Sequence, residues 1–322
     1  LNSPYTMEML ANTSGGGKNM CLRRETSSTA IDSIPYWRYD ALPKFQYEPE
    51  EGEDVNSPNR IDLWNWYRVG RHTIDGKDGM YMALDATNPM MSHFLEGQMN
   101  DKNITHEDIA FAIGLPDGSW PNGSAGGTRS YIYNRLVQEQ DVTCLNGYYN
   151  VLDNVLVTPA NMAEVIRSNG QTNYFSEMLD RFSLPFYDAT LTSNFRDIHP
   201  QDDKIDSVFV KRYVATNTLS GIVDEDLTGR SLADYPKLSF DPGWNTYAAS
   251  TTVSKENDMA AMFVPSDEAL KKYFLADAGV VLMNRYAKKP NTEENLSYNL
   301  SQIPLEVIAE LINNLMKDSF NE

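Results

Sequence analysis

The chain has 322 residues, 41% apolar and 11% aromatic, which is enough for two domains that each bury a core and excludes wholesale disorder. Its 27 basic against 45 acidic residues leave a formal net charge of -18, a surface that repels phosphate backbones and argues against a nucleic-acid partner. Cys21 and Cys144 could pair but make no disulfide framework or CxxC motif, and no apolar run approaches the length of a membrane span.

In chain order, the first 60 residues are rich in Pro, Ser, Gly, Asn and Glu, and 12–19 (NTSGGGKN) and 47–59 (YEPEEGEDVNSPN) read as loops. Between them, 34–48 (IPYWRYDALPKFQYE) carries Trp37, Tyr39, Phe45 and Tyr47. Residues 61–69 (IDLWNWYRV) follow with Trp64 and Trp66. Aromatics at this density suit two arrangements: strands whose rings pack a core, or a platform on which sugar faces stack. Residues 88–99 (NPMMSHFLEGQM) read as a short helix or turn. A helix start is expected at 103–114, with Thr105 as N-cap ahead of Glu107 and Asp108.

The clearest strands of the first half lie at 130–137 (SYIYNRLV) and 145–159 (LNGYYNVLDNVLVTP), the second opened by an Asn-Gly turn. The period then becomes helical. Met162, Val165 and Ile166 are expected on one face, and Phe175, Met178, Leu179 and Phe182 on another after the Asn169–Gly170 break; Pro185 is expected to end the pair. A domain boundary is placed near residue 160. Residues 204–215 (KIDSVFVKRYVA) alternate imperfectly around Val208 and Val210. A polar stretch, 217–258, precedes 260–270 (AAMFVPSDEAL), and a last helix is expected from Pro304, striped by Ile308, Leu311, Ile312 and Leu315.

In AAMFVPSDEAL a buried strand should run through Met262, Phe263 and Val264 and stop at Pro265, which lacks an N–H. Ser266 can then cap a helix whose first turn holds Asp267 and Glu268, while Leu270, Tyr273 and Phe274 recur on one side. Capping uses every polar residue of the stretch.

These residues resemble the first signature of the fasciclin (FAS1) family, Phe-x-Pro-Thr/Ser-Asp/Asn-Glu-Ala, on which Phe263, Pro265, Ser266, Asp267, Glu268 and Ala269 fall one by one. Asn146, Gly147, Val151, Leu152, Asp153, Val155, Leu156 and Pro159 are similar to the family's closing strands, with Asn150 where His is common and one extra residue before Pro159. The stretches at 88–114 and 303–320 look like elements of divergent Bacteroidetes members, often lipid-anchored at the cell surface. The resemblance implies an α+β fold of FAS1-like β-sandwich units with helices packed at one side, two in tandem. Residues 1–159 would be a divergent or incomplete first unit, and 160–322 a second unit without its closing strands.

The resemblance further implies a non-catalytic adhesion or protein-binding module that needs no cofactor. It would act outside the cytoplasm, at the cell surface, outer membrane or periplasmic face, with any lipid anchor lying outside this chain. The implied partner is another cell-surface or outer-membrane protein, in an accessory role beside glycan uptake. Two alternatives stand beside it. One is direct glycan capture by Trp37, Trp64 and Trp66, or by Trp120 and Trp244. The other is a glycan hydrolase using two carboxylates.

Other chemistry has weaker support. His72, His93, His106 and His199 lack metal-ligand spacing. Residues 14–19 (SGGGKN) miss the P-loop register, and 124–128 (SAGGT) is no nucleophile elbow. Asp202, Asp203 and Asp206, or Asp224, Glu225 and Asp226, are either solvated acidic loops or a calcium loop without the EF-hand order.

Overall fold

The computed structural model describes residues 22–25, 34–45, 47–48, 51–52, 64, 79–83, 90–95, 130–132, 135–156, 160–200, 207–216, 235–243 and 259–320. The strands in chain order are β1 (Leu22–Glu25), β2 (Tyr36–Arg38), β3 (Gly79–Ala83), β4 (Met90–Leu95), β5 (Ser130–Ile132), β6 (Arg135–Cys144), β7 (Gly147–Leu152), β8 (Ser183–Tyr187), β9 (Val208–Tyr213), β10 (Met259–Met262) and β11 (Met316–Phe320). The α-helices are α1 (Met162–Ser168), α2 (Asn173–Asp180), α3 (Ala189–Ile198), α4 (Asp267–Ala276), α5 (Val280–Tyr286), α6 (Leu296–Ser301) and α7 (Leu305–Asn313). The protein is a mixed α+β fold with several sheets and helices.

Two compact units are built from interleaved segments. The first comprises Leu1–Ser28, Asn88–Pro159 and Tyr247–Asn257; the second comprises Thr29–Thr87, Ala160–Thr246 and Asp258–Glu322. The sequence bounds 1–159 and 160–322 share with them the crossing after Pro159.

The first unit holds an antiparallel five-stranded sheet in the order β1-β4-β5-β6-β7. Residues 90–95, expected as helix or turn, are strand β4 between β1 and β5. A six-residue apolar run cannot declare its period alone, and pairing on both sides decides it. The strands β6 and β7 form a hairpin closed at Cys144↔Gly147, so its two loop residues are Leu145 and Asn146, one position before the expected Asn-Gly turn. Two register shifts place bulges in β6 between Val137 and Val142. Within them Asp141 takes φ +56°, a region Asp tolerates better than most residues, and its N–H donates to Asn150 Oδ1 at 2.8 Å.

In the second unit a four-stranded sheet runs β2-β3-β9-β8, with β3 and β9 parallel and the other neighbours antiparallel. Alternation gives it two apolar faces. Val208, Val210 and Ala83 meet Leu191 and Phe195 of α3, while Met80 and Met82 pack with Leu42 and Trp64. Pro185 does not end the helices as expected. The helix α2 stops at Asp180, and Pro185 lies inside β8, an edge strand where a missing donor is tolerated.

Helices α1, α2 and α4 to α7 share another core, in which Phe175, Met178, Leu179 and Phe182 face Phe274, Ile308 and Ile312. On α1 the inward residues are Ala163 and Ile166; Val165, expected inward, is exposed, because i and i+3 share a face whereas i+2 and i+3 cannot both be central to it. Pro304 stands at the start of α7, and Ile308 and Ile312 point inward as its stripe requires. After Leu315 the chain becomes β11, a strand the sequence reading did not anticipate, which pairs antiparallel with β10 at Met262↔Met316. Among the described residues, no helix is long and apolar enough to cross a membrane.

Candidate functional site

The stretch that carries the fasciclin resemblance turns out to hold two helices at once. Ser266 Oγ accepts the Ala269 N–H at 3.2 Å and so caps α4, as its position predicts. Asp267 also reaches across to α2, whose own N-cap Thr172 makes no side-chain cap bond. Its carboxylate accepts the Tyr174 N–H at 2.9 Å and the Asn173 amide at 2.7 Å, and its backbone N–H donates to Gln171 O at 2.7 Å. One carboxylate therefore sits at the positive ends of two helices. Glu268 and Ala269 are exposed, and Pro265 is half-buried.

Phe263 departs from expectation. It was expected in the core and is 55% exposed. The strand β10 ends at Met262, and Phe263 keeps a backbone bond to Leu315 O at 2.8 Å while its neighbours Met262 and Val264 pack against the helical core. Alternation turns the Phe263 side chain the other way.

Among the described residues of the second unit, the most concentrated chemistry gathers at Asp180, the last residue of α2. Lys211 Nζ lies 2.7 Å from its Oδ1, Tyr213 donates its hydroxyl to the same oxygen at 3.0 Å, and Arg167 Nη2 is 3.7 Å away. Arg167 also pairs with Glu164 at 2.5 Å and donates to the Tyr213 hydroxyl at 3.2 Å. Burial pushes the Lys211 amine below the ordinary lysine value, with Asp180 opposing it. Burial also pushes the Tyr213 phenol well up, and the charge on Asp180 adds to that. A lysine and a tyrosine shifted this way resemble an acid–base pair. Both, however, are committed to Asp180, and the Trp64 ring centre lies 5.9 Å from Lys211 Nζ. The arrangement ties α1, α2 and β9 together.

Two further buried arrangements, one a pair and one a lone cation, are likewise satisfied within the fold. Arg212 Nε meets Asp241 at 2.8 Å, and Asp241 accepts N–H groups from Gly243 and Tyr213. Arg181 donates through Nη1 to Leu300 O at 3.1 Å and Ile303 O at 2.6 Å, bonding carbonyls at and just beyond the end of α6; burial lowers its value to about 10. No local pattern in the sequence announces either arrangement.

Of the glycan candidates, Trp37 and Trp64 are among the described residues. Trp64 is fully buried, with its indole N–H donating to Ser183 Oγ at 2.8 Å, so it has no ring face to offer a sugar. Trp37 is half-buried against the Leu42–Trp64 cluster. Trp66, Trp120 and Trp244 lie outside the described residues, as do His72, His106, Thr105 and both acidic runs considered for calcium. His199 packs its ring 4.4 Å from that of Phe195. Among the described residues, no three His, Cys, Asp or Glu side chains converge as a metal site.

The residues likened to the fasciclin closing strands fall on the β6–β7 hairpin of the first unit. Asn146 is a loop residue, Gly147 opens β7, Val151 pairs with Glu139, and the Asp153 N–H donates to Leu136 O at 2.9 Å. Leu156 is half-buried, and Pro159 lies outside the described residues. Every residue from Thr143 to Tyr149 is exposed. Leu145 is fully open, Tyr148 and Tyr149 are 47% and 51% exposed, Val155 is exposed, and Cys144 is a free thiol. Adjacent strand residues point to opposite faces, so the two tyrosines wet both sides of the hairpin tip. This apolar arm is the candidate site, and the sequence marked its strands without marking its exposure. No family model, curated protein or solved structure matches the chain.

Proposed function

We propose that this chain is a non-catalytic, extracytoplasmic adhesion or protein-binding module of the fasciclin type. In this reading it comprises two FAS1-like β-sandwich units in tandem and serves as an accessory to glycan uptake at the outer membrane or cell surface. The β6–β7 arm carries the binding part of the reading. Its Leu145, Tyr148 and Tyr149 place aromatic and aliphatic surface in water, where it stabilises the fold least and is available to a partner. The placement of Ser266 and Asp267, in which the polar residues of the signature hold helix ends, supports the non-catalytic part.

The test is mild cross-linking at the native cell surface followed by identification of the attached protein, run on the unaltered chain and on Leu145→Asp. A partner lost with Leu145→Asp supports the reading. Turnover of a purified glycan or peptide that disappears when one carboxylate is changed overturns it in favour of the hydrolase. Glycan binding abolished by Trp37→Ala would instead establish direct capture.

A further inference from the structure

The outer strand of the arm points to a specific kind of partner. We propose that β7 is a docking edge for an extended segment of another protein, uncharged in its middle and basic at its ends, which adds to the sheet as a further strand. This rests on the binding-module reading and deepens it.

Four observations carry the inference. First, β7 is the terminal strand of its sheet, so the backbone groups on its far side have no ladder partner among the described residues. Such rows are templates for another strand, and natural sheets usually guard them with Lys, Pro or a bulge in the edge strand itself. Second, β7 reads Gly-Tyr-Tyr-Asn-Val-Leu and has none of these guards; the bulges fall in β6, on the inner side. Third, Tyr148 and Tyr149 are half-exposed on opposite faces, so an added strand would find aromatic surface on both sides. Fourth, the exposed charges described on the hairpin are one-sided. Glu139 on β6 and Asp153 just past β7 are exposed, and the single base between residues 135 and 156, Arg135, donates its Nε to Val155 O at 2.9 Å. A basic-flanked segment complements that rim. A second copy would bring the same acids together on chains that each carry -18.

The experiment uses the full chain and two short synthetic peptides of alternating Val and Thr, one flanked by Lys and one by Glu. Hydrogen exchange of the β7 amides and peptide fluorescence anisotropy are the readouts. The Lys-flanked peptide should protect Gly147–Leu152, bind more weakly as salt rises, and outbind the Glu-flanked one. Tyr148→Lys with Tyr149→Lys should weaken it by about tenfold or more. A circular-dichroism melt establishes that the variant folds. Glu139→Lys with Asp153→Lys, which leaves β7 untouched, should transfer the preference to the Glu-flanked peptide. Equal binding of both peptides overturns the proposal, as does protection outside β7. Protection of β7 that grows with protein concentration and no peptide would assign the edge to a second copy and overturn it as well. A cross-linked surface partner that persists in Tyr148→Lys with Tyr149→Lys removes the strand inference alone, whereas absence of any partner from the unaltered protein removes the module reading.

Discussion

Tyr213 and Tyr149 are the same residue type on strands of two different sheets, and the protein uses them in opposite ways. In the second unit Tyr213 is 1% exposed, shares Asp180 with Lys211, and lies in the helical core with Phe175 and Ile308. In the first unit Tyr149 stands half in water beside an equally exposed Tyr148. Charges follow the same division. Asp180 and Asp241 are paired inside the second unit, while Glu139 and Asp153 face solvent on the arm. Aromatic area removed from water stabilises the fold, and aromatic area left in water does not. The core of the second unit is therefore where aromatic burial stabilises the fold, and the arm of the first leaves its aromatic surface open, as the proposed binding role requires.

That division has its largest consequence in the helical core. Phe175→Ala should destabilise by about 3–5 kcal/mol, from lost transfer energy and a cavity that Leu179, Phe274 and Ile308 cannot fill. Tyr149→Ala should change stability by less than about 1 kcal/mol. Guanidinium unfolding of the full chain, followed separately through tryptophan fluorescence and circular dichroism, measures both. Equal losses would erase the contrast.

The Asp180 cluster sharpens it. Asp180→Ala leaves Lys211 buried without its carboxylate and should cost about 3 kcal/mol, the low end for a broken buried pair because Asp180 keeps 18% side-chain exposure. Lys211→Met should be milder, since a thioether fits the space beside Trp64. It should also alter the pH dependence. Burial lowers the Lys211 value beneath 10.5, so the folded chain releases this proton at a lower pH than the unfolded chain does. Across that window the unfolded state holds more protons, and stability rises with pH. Lys211→Met should remove the rise. The window is best read below pH 10, because above it the raised Tyr213 value acts the other way: the folded state keeps a proton the unfolded state has lost, and stability falls as pH climbs. An unchanged pH profile in Lys211→Met would show that the amine is solvated in the folded protein.

What could be read beforehand follows the range of each interaction. The cap at Ser266 involves residues three apart, and sequence displays it. The inward set Phe175, Met178, Leu179 and Phe182 repeats at helical spacing, and the pattern suffices. The Asp267–Tyr174 bond spans 93 positions and the Lys211–Asp180 pair 31, so nothing local connects them. The six residues of strand β4 fit either period until β1 and β5 flank them, so sequence alone cannot distinguish strand from helix there. Exposure was the hardest property. Trp64 and Phe263 are both large apolar residues in apolar runs, yet one is sealed beneath a sheet and the other lies open.

Asp267 offers an intermediate effect. Asp267→Ala removes the acceptor for the Tyr174 N–H as well as negative charge at two helix starts, and should cost about 1.5–3 kcal/mol. Ser266→Ala removes one longer bond at an exposed cap and should cost about 1 kcal/mol, while Ser266→Asp should be nearly neutral because a carboxylate also caps. Urea midpoints at constant m-value rank the three. A Ser266 effect larger than that of Asp267 would mean that α4 does not depend on its contact with α2.

A small effect is also expected at Phe263, the most conspicuous residue of the motif. Full burial of a Phe side chain is worth about 1.5–3 kcal/mol, and this one leaves 55% of its surface in water. Its structural bond is made by the backbone, from its N–H to Leu315 O, and alanine preserves that bond. Phe263→Ala should therefore cost about 1 kcal/mol or less, and Met262→Ala, which loses contacts with the helical core and sits opposite Met316, should cost more. The two variants measured side by side in urea give the order directly. If Phe263→Ala proves the more damaging, its ring is covered in the folded protein and the inward face of β10 has been assigned to the wrong residues.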